Sequence, residues 1–310
     1  MDFDFTPDQE VLRTNARKIL QEVCTQEYVQ QCDTEARPPR EAYAAMAENG
    51  WLGLILPEEY GGVSGSPIDI AILLEEAGRQ YEELAVWMFR SMVWGGYAIL
   101  SHGSEQQKQE FLPKISSGEI TVCFGLTEPG SGSDATALTT FAKKAEDGGY
   151  IINGQKVFTS GMDISDYCLL VARTTKANKQ QEGITNFFID TKSPGIEIQK
   201  IETLGHRGIG TTQVFYTDVK VPDNCILGEV DNGWRAADKY LWYERLCLSA
   251  ARYGAASRAF EYALDYAKNR EQFGQPIGKF QAISHKLADM KVMLDVSRVL
   301  VYQFAWQMEA

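Results

Sequence analysis

The stretch Cys123 to Ala135, CFGLTEPGSGSDA, decides how this chain is read. Its last six residues satisfy G-x-G-x-x-G/A, the pattern of a dinucleotide-binding turn, through Gly130, Gly132 and Ala135. That turn belongs to a doubly wound α/β fold only if a strand precedes it and a helix follows with its N-terminus toward the pyrophosphate. The residues TVCFGL serve as the strand. Ala135, however, is followed by TALTTFAKKAEDGGYIINGQ, with β-branched residues and the turn pairs Asp147-Gly148 and Asn153-Gly154 where the helix should run. Glu146 and Asp147 stand at the spacing of a ribose ligand but inside a predicted turn. The pattern is therefore not a Rossmann turn. It keeps its local chemistry: Gly130 and Gly132 let backbone approach a ligand, successive N–H groups form an anion-receiving nest, and Thr127, Ser131 and Ser133 add hydroxyls.

Before this stretch the chain reads as helices. Thr6-Pro7-Asp8-Gln9 is an N-cap, a proline at N1 and a capping-box glutamine, and Val11, Leu12, Ala16, Ile19, Leu20 and Val23 follow at helical spacing. Arg40 to Asn49 forms a second helix stopped by Gly50. LPEEYGG is a loop. PIDIAILLEEAGRQ and SEQQKQEFLPKISSG are further helices, the latter capped by Ser104 and closed near Gly118. After Gly118 the period shortens. Asn153-Gly154 predicts a hairpin, and DYCLLVAR, ITNFFIDT, GIEIQKI and TQVFYTDVKV follow as strands without helices between them, which predicts antiparallel β. After DNGW the helical period returns. Ala256, Ala259, Phe260, Ala263 and Ala267 share one face, and Ile283, Leu287, Met290, Leu294, Val301 and Met308 form a near-heptad seam. The helical pattern is still running at FAWQMEA, so further helices or a partner chain are expected to cover it.

The composition is that of a globular chain: 44% hydrophobic and 23% charged over 310 residues, enough for two or three domains. A net charge of −12 with no basic stripe argues against nucleic acid or an anionic membrane as partner. No apolar run is long enough to insert in a membrane. MDFDFTPDQE is acidic and lacks a signal-peptide core, and Cys24, Cys32, Cys123, Cys168, Cys225 and Cys247 are scattered. A reducing, cytoplasmic setting with free thiols is expected. His102, His206 and His285 show no ligand spacing, so no metal site is expected.

Five segments in chain order carry a larger match: TEPGSGSDA, YIINGQKVFTSG, VPDNCILGEVDNGW, ERL and REQFGQPIGKFQAI. Together they resemble the acyl-CoA dehydrogenase family of FAD flavoproteins over essentially the whole chain. MDFDFTPDQE, CDTEARPPR and LPEEYGG are also similar to the crotonobetainyl-CoA reductase branch. The resemblance implies an α+β fold: an N-terminal helical domain (1–119), a middle antiparallel β-domain (120–230) and a C-terminal helical bundle (231–310) lacking its last helices.

The resemblance also assigns residues. Phe124, Leu126, Thr127, Gly132 and Ser133 match the loop that lines FAD, with Ser133 shared with the CoA side. Phe158, Thr159 and Ser160 match an aromatic-x-hydroxyl triplet that packs on the flavin ring and donates toward N5. Arg270, Gln272, Phe273, Phe280 and Gln281 match positions reaching the FAD of a neighbouring subunit, which implies a homo-oligomer, a dimer or dimer of dimers. The implied chemistry is α,β-dehydrogenation of an acyl-CoA thioester, with electrons passed to electron-transfer flavoprotein. A carboxylate takes the α proton while the β hydride leaves. In most of the family that carboxylate lies late in the chain, beyond Ala310; in a minority it precedes an arginine in an earlier helix. WYERLCLSA places Glu244 at that position, with Arg245 as the substrate-contacting arginine. Alternatively Glu244 pairs with Arg252 or Arg90. Trp242 stands where many relatives carry an aspartate toward the pantetheine arm. The same fold also hosts acyl-CoA oxidases, enoyl-CoA reductases and non-catalytic half-subunits of heteromeric enzymes, and these readings stay open.

Overall fold

A computed structural model describes residues 4–309; Met1, Asp2 and Phe3 of the amino-terminal stretch and Ala310 lie outside the described residues. Helices α1 (Pro7–Val23), α2 (Gln26–Glu35), α3 (Arg40–Glu48), α4 (Pro67–Phe89), α5 (Ala98–His102) and α6 (Glu105–Ser116) come first, with a π-helical stretch, Arg90–Tyr97, between α4 and α5. Strands β1 (Val122–Gly125), β2 (Phe141–Lys144), β3 (Tyr150–Ser160), β4 (Tyr167–Arg173), β5 (Ile184–Asp190), β6 (Ile196–Ile201), β7 (Thr211–Val221) and β8 (Ile226–Leu227) follow. Then come α7 (Gly233–Asn269), the short hairpin β9 (Glu271–Gln272) and β10 (Gln275–Pro276), and α8 (Gln281–Glu309). The order is helical, then β, then helical. None of the described helices is long and apolar enough to cross a membrane.

The predicted capping box at Thr6 forms, and the predicted cap at Ser104 proves to be a second one. Thr6 Oγ1 accepts from Gln9 N at 3.3 Å while Gln9 Oε1 accepts from Thr6 N at 3.1 Å. Ser104 and Gln107 repeat the exchange at 3.2 and 2.9 Å. Each box satisfies two N–H groups that a bare helix start leaves without partners.

By contacts the chain forms two compact units, Met1–Thr25 with Ser66–Val86 and Arg245–Ala310, and Gln26–Gly65 with Trp87–Glu244. In the first, Ala16 and Leu20 of α1 are buried. Arg17 grips Glu76 with two hydrogen bonds of 2.9 and 2.6 Å, and Arg79 reaches Glu261 at 2.9 Å and Ser257 at 3.0 Å. Tyr302 donates to Glu75 at 2.7 Å. Of the residues predicted to share one face of α7, Ala256, Ala259 and Ala263 are exposed, Phe260 is half-buried and Ala267 is buried. Helical spacing identifies a shared face but not whether anything covers it.

The second unit holds the sheet, in the order β6-β7-β3-β2-β4-β5-β8, with β1 beside β4. Cys123, Ile152, Met162, Cys168, Leu170, Phe187, Val214 and Tyr216 are among the buried residues of its core. Most neighbours are antiparallel, as predicted, but β2 meets β4 in parallel at Phe141 and Arg173, and β1 runs parallel to β4 with Val122 opposite Tyr167 and Gly125 opposite Leu170. β1 leaves into the glycine loop with no hairpin to turn it back, and the β2–β3 hairpin supplies the long crossover that a parallel pair needs.

The predicted hairpin at Asn153-Gly154 does not exist. β3 runs unbroken from Tyr150 to Ser160, and the chain reverses earlier, at Gly148 (φ 98°) and Gly149 (φ 74°). Asn153-Gly154 instead forms a bulge against β7, where the register jumps from Ile152 opposite Val219 to Gly154 opposite Tyr216. Asn153 fills the irregularity by bonding Asp218 twice, at 3.0 and 2.9 Å. Gly154 has φ 152°, and a Cβ there would lie 2.5 Å from Thr140 Oγ1 and 2.6 Å from Thr140 Cα. Close backbone approach, not a turn, is what requires glycine. Gly154→Ala is therefore expected to destabilise the protein by about 1–3 kcal/mol, read as a lower urea midpoint with an unchanged m-value. An unchanged midpoint would contradict this account.

Candidate functional site

The loop after β1 and the end of β3 are joined through their backbones. Val157 N donates to Thr127 O at 2.9 Å, and Lys156 Nζ donates to Leu126 O at 2.8 Å. Glu128 and Ser131 close the loop on itself, each N–H donating to the other's carbonyl at 3.0 and 3.1 Å. Phe124 and Leu126 pack against Leu138, Val171 and Ile184, so both are partly core residues as well as loop residues. Thr127 is half-buried, and Gly132 and Ser133 are exposed. Leu126 and Thr127 are thus tied to Lys156 and Val157, the two residues that precede the Phe158-Thr159-Ser160 triplet.

A second register jump, between Lys156 and Thr159, gives the triplet its shape. Strand alternation would bury Phe158 with Ile152 and Lys156. The bulge turns it out instead: Phe158 sits at φ 57° with 65% of its surface exposed, while Thr159 is buried. The following residues are held down by Thr212 Oγ1 donating to Thr159 O at 2.7 Å and Gly161 N donating to Gly210 O at 3.1 Å. Thr159 Oγ1 is buried without a hydrogen-bond partner.

Behind the loop lies an ion pair that the sequence reading missed. Lys156 has no exposed surface and Glu128 is 5% exposed; Nζ meets Oε1 at 2.9 Å. Burial pushes the Glu128 carboxyl up, but the Lys156 ammonium and the bonds from Lys156, Thr140 and Thr139 outweigh it and hold the group at about 2. Burial pushes Lys156 down, with Glu128 opposing. The available signal was alternation along YIINGQKVF, which puts Lys156 on the core face.

Glu244, near the middle of α7, accepts a hydrogen bond from Trp94 Nε1 at 3.0 Å. Trp94 belongs to the π-helical stretch, a local irregularity frequent at functional sites. Its ring lies 5.1 Å from Phe124, and Phe124 lies edge-on to Tyr240 at 5.8 Å. The carboxylate is thereby linked through aromatic contacts to the residue that leads into the loop. The two alternative partners proposed for Glu244 are engaged elsewhere: Arg252 pairs with Glu82 at 2.9 Å, and Arg90 donates to Ser165 Oγ at 3.0 Å. Trp94 itself carries no sequence signal, because an indole in an apolar helix reads as core.

The remaining predicted residues belong to the other unit. Arg245 is exposed on α7. Arg270, Gln272 and Gln281 are exposed around the β9–β10 hairpin, whose turn is Phe273 (φ 53°) and Gly274 (φ 75°). Phe273 is 92% exposed and edge-on to Phe280 at 6.1 Å.

The loop and triplet suit a flavin. Phe158 offers an exposed aromatic face, Thr159 Oγ1 lacks a partner, and nothing lies within 4 Å of a Cβ built at Gly130 or Gly132. The absence of neighbours leaves the room for backbone approach that those glycines permit. Among the described residues no group of three or more His, Cys, Asp and Glu side chains is placed to hold a metal ion.

Comparison with known proteins gives three contiguous matches: the acyl-CoA dehydrogenase N-terminal domain over residues 6–119, its middle domain over 123–219 and its C-terminal domain over 231–310. The chain is 36% identical to a 3-(aryl)acrylate reductase of Clostridium sporogenes, covering 98% of this chain and 80% of that protein. It is 34% identical to the CarC subunit of the caffeyl-CoA reductase-Etf complex of Acetobacterium woodii, with the same coverage. A solved glutaryl-coenzyme A dehydrogenase in complex with glutaryl-CoA superimposes with a TM-score of 0.93 at 34% identity, over 98% of this chain and 78% of that one. Solved structures sharing the fold include FAD complexes. The chain belongs to the acyl-CoA dehydrogenase family of FAD-dependent oxidoreductases.

Proposed function

We propose that the protein oxidises the Cα–Cβ bond of an acyl-CoA thioester, with Glu244 as the group that takes the α proton. One observation carries this reading: the Glu244 carboxylate lies against the indole N–H of Trp94, whose ring packs on Phe124 at the entrance to the flavin loop. A carboxylate has about four lone-pair sites, so an indole N–H on one oxygen orients the group without exhausting its capacity to take a proton. Bound FAD supplies a two-electron acceptor for the hydride leaving Cβ. As the Cα–H bond breaks, its proton goes to Glu244 and its electron pair becomes the new double bond.

With FAD bound, Thr127 and Ser160 would orient it through their hydroxyls, and Phe158 would offer its exposed face to the ring. Arg245, which follows Glu244 in the motif, is the residue assigned to contact the substrate. Arg270, Gln272, Phe273, Phe280 and Gln281 reach the cofactor of a second copy of the chain, making the site a product of oligomerisation. The exposure of Arg270, Gln272, Phe273 and Gln281 supports this. An electron-transfer flavoprotein receives the electrons.

A second reading runs the same site toward reduction of an enoyl thioester. The names of the two relatives, a 3-(aryl)acrylate reductase and a subunit of a caffeyl-CoA reductase-Etf complex, favour it. Anaerobic titration separates the two. Bleaching of the oxidised flavin band by saturated acyl-CoA supports dehydrogenation, and recovery of that band when enoyl-CoA meets reduced enzyme supports reduction.

Glu244→Gln is expected to retain FAD and bind acyl-CoA but to lose flavin reduction by several orders of magnitude, since glutamine keeps size and hydrogen bonding but takes no proton. Near-normal reduction in stopped flow would move the base away from Glu244. Thr127→Ala and Ser160→Ala should each weaken FAD binding by about 1 kcal/mol, and a double variant retaining flavin like the wild type would count against their roles. Arg270→Ala should lower FAD affinity and weaken the oligomer together, because a ligand bound only by the assembled state stabilises it. FAD fully bound to a stable monomer, seen by analytical ultracentrifugation, refutes the cross-subunit site.

A further inference from the structure

The Lys156–Glu128 pair is unlike the other ion pairs of the second unit. Lys144–Asp223, Lys200–Asp163 and Arg207–Asp33 all keep exposed partners, whereas Lys156 and Glu128 are both buried. Burying an ion pair is commonly no better for stability than apolar packing of the same volume, so its geometry has to be asked what else it does. The ammonium spans two loop positions, donating to Leu126 O at 2.8 Å and to Glu128 Oε1 at 2.9 Å. Thr127 lies between them, and its own carbonyl is held by Val157 N at 2.9 Å. The Glu128 carboxylate is fixed further by Thr139 N at 2.6 Å, Thr139 Oγ1 at 2.7 Å and Thr140 N at 2.9 Å. Three consecutive loop residues are thus anchored to two consecutive residues of β3, and the residue after those anchors is Phe158 in its left-handed conformation.

We propose that Lys156 and Glu128 are positioning residues for the flavin: a charged latch that sets Thr127 and Phe158 relative to each other, so that cofactor affinity and the flavin's surroundings depend on two charges acting through the loop. This rests on the flavin reading of the site. Side chains that must hold a ligand to within a fraction of an ångström need partners that lock them, and an ion pair whose carboxylate takes four donors locks a backbone more narrowly than apolar contacts do.

The test uses the full chain as wild type, Lys156→Met, Glu128→Gln and the double variant. Three quantities are measured: the melting temperature of the apoprotein, the FAD dissociation constant by flavin fluorescence quenching, and the shape of the bound flavin's absorption bands. Each single variant leaves an unpaired buried group, and Lys156→Met, which strands a carboxylate, is expected to melt roughly 10 °C lower or more. The double variant is expected to regain most of the melting temperature yet bind FAD about tenfold or more weakly, with shifted flavin bands. A purely structural pair predicts the opposite split. Recovery of wild-type affinity and bands in the double variant overturns the inference. Should the double variant not fold, Lys156→Arg carries the same decision: it keeps the charge but changes the donor's reach, so a raised dissociation constant at a near-native melting temperature supports the latch and an unchanged constant overturns it. Wild-type protein that takes up no FAD would instead overturn the flavin reading itself, and this inference with it.

Discussion

One buried ammonium organises what this chain can bind. Lys156 contributes two of its three donors to the loop that follows β1, one to a carbonyl and one to a carboxylate. The carboxylate in turn gathers donors from Thr139 and Thr140, at the entry to β2. Taking both charges out of water is costly, and their attraction offsets that cost only when the remaining lone pairs are also satisfied. Here they are: Glu128 receives four donors, which is why its carboxyl stays ionised down to about 2. The glycine loop, the first residue of the triplet and the strand between them are consequently one rigid piece. The strand bulge and the exposed face of Phe158 adjoin that pair.

The parts of the fold that were legible in the sequence are those where a local interaction decides. Thr6 with Gln9 and Ser104 with Gln107 cap helices because each box closes within four residues, and nothing distant competes. Asn153-Gly154 was misread because the same dipeptide serves two physical demands, a positive φ in a tight turn and close approach of another strand. Only the position of Thr140, just before the paired strand β2, shows that the second applies. The parallel pairing of β1 with β4 was hidden for a similar reason. Strand alternation reports which face is buried and not which neighbour lies alongside.

The site divides the same way. The glycine loop and the triplet could be placed together from motifs, since their chemistry is written in residue type. Lys156 could not be valued from type alone, because a lone lysine on a core face is usually a sign of a misplaced strand, and only the carboxylate 28 positions earlier makes its burial tolerable. Trp94 lies in a π-helical turn, and i→i+5 geometry has no sequence period of its own. The Glu244 assignment gains its physical content from that indole, which fixes one oxygen of the carboxylate in an aromatic setting.

Phe158 carries the cost of this arrangement before any ligand arrives. A bulky residue in the left-handed region costs roughly 1–2 kcal/mol, and leaving an aromatic ring in water forgoes about 1.5–3 kcal/mol of burial when the ring is fully exposed. With 65% of its surface exposed, Phe158 bears most of that second loss as well as the first. Neither is relieved within the chain, because Lys156 and Val157 are pinned on one side and Thr159 and Gly161 on the other. A flat ring laid on Phe158 would recover the burial without moving the backbone. The strain is then a preorganisation cost met at folding, so that the binding step need not order the aromatic face. Relaxing the bulge would make the free protein more stable and its ligand weaker by the same conformational freedom.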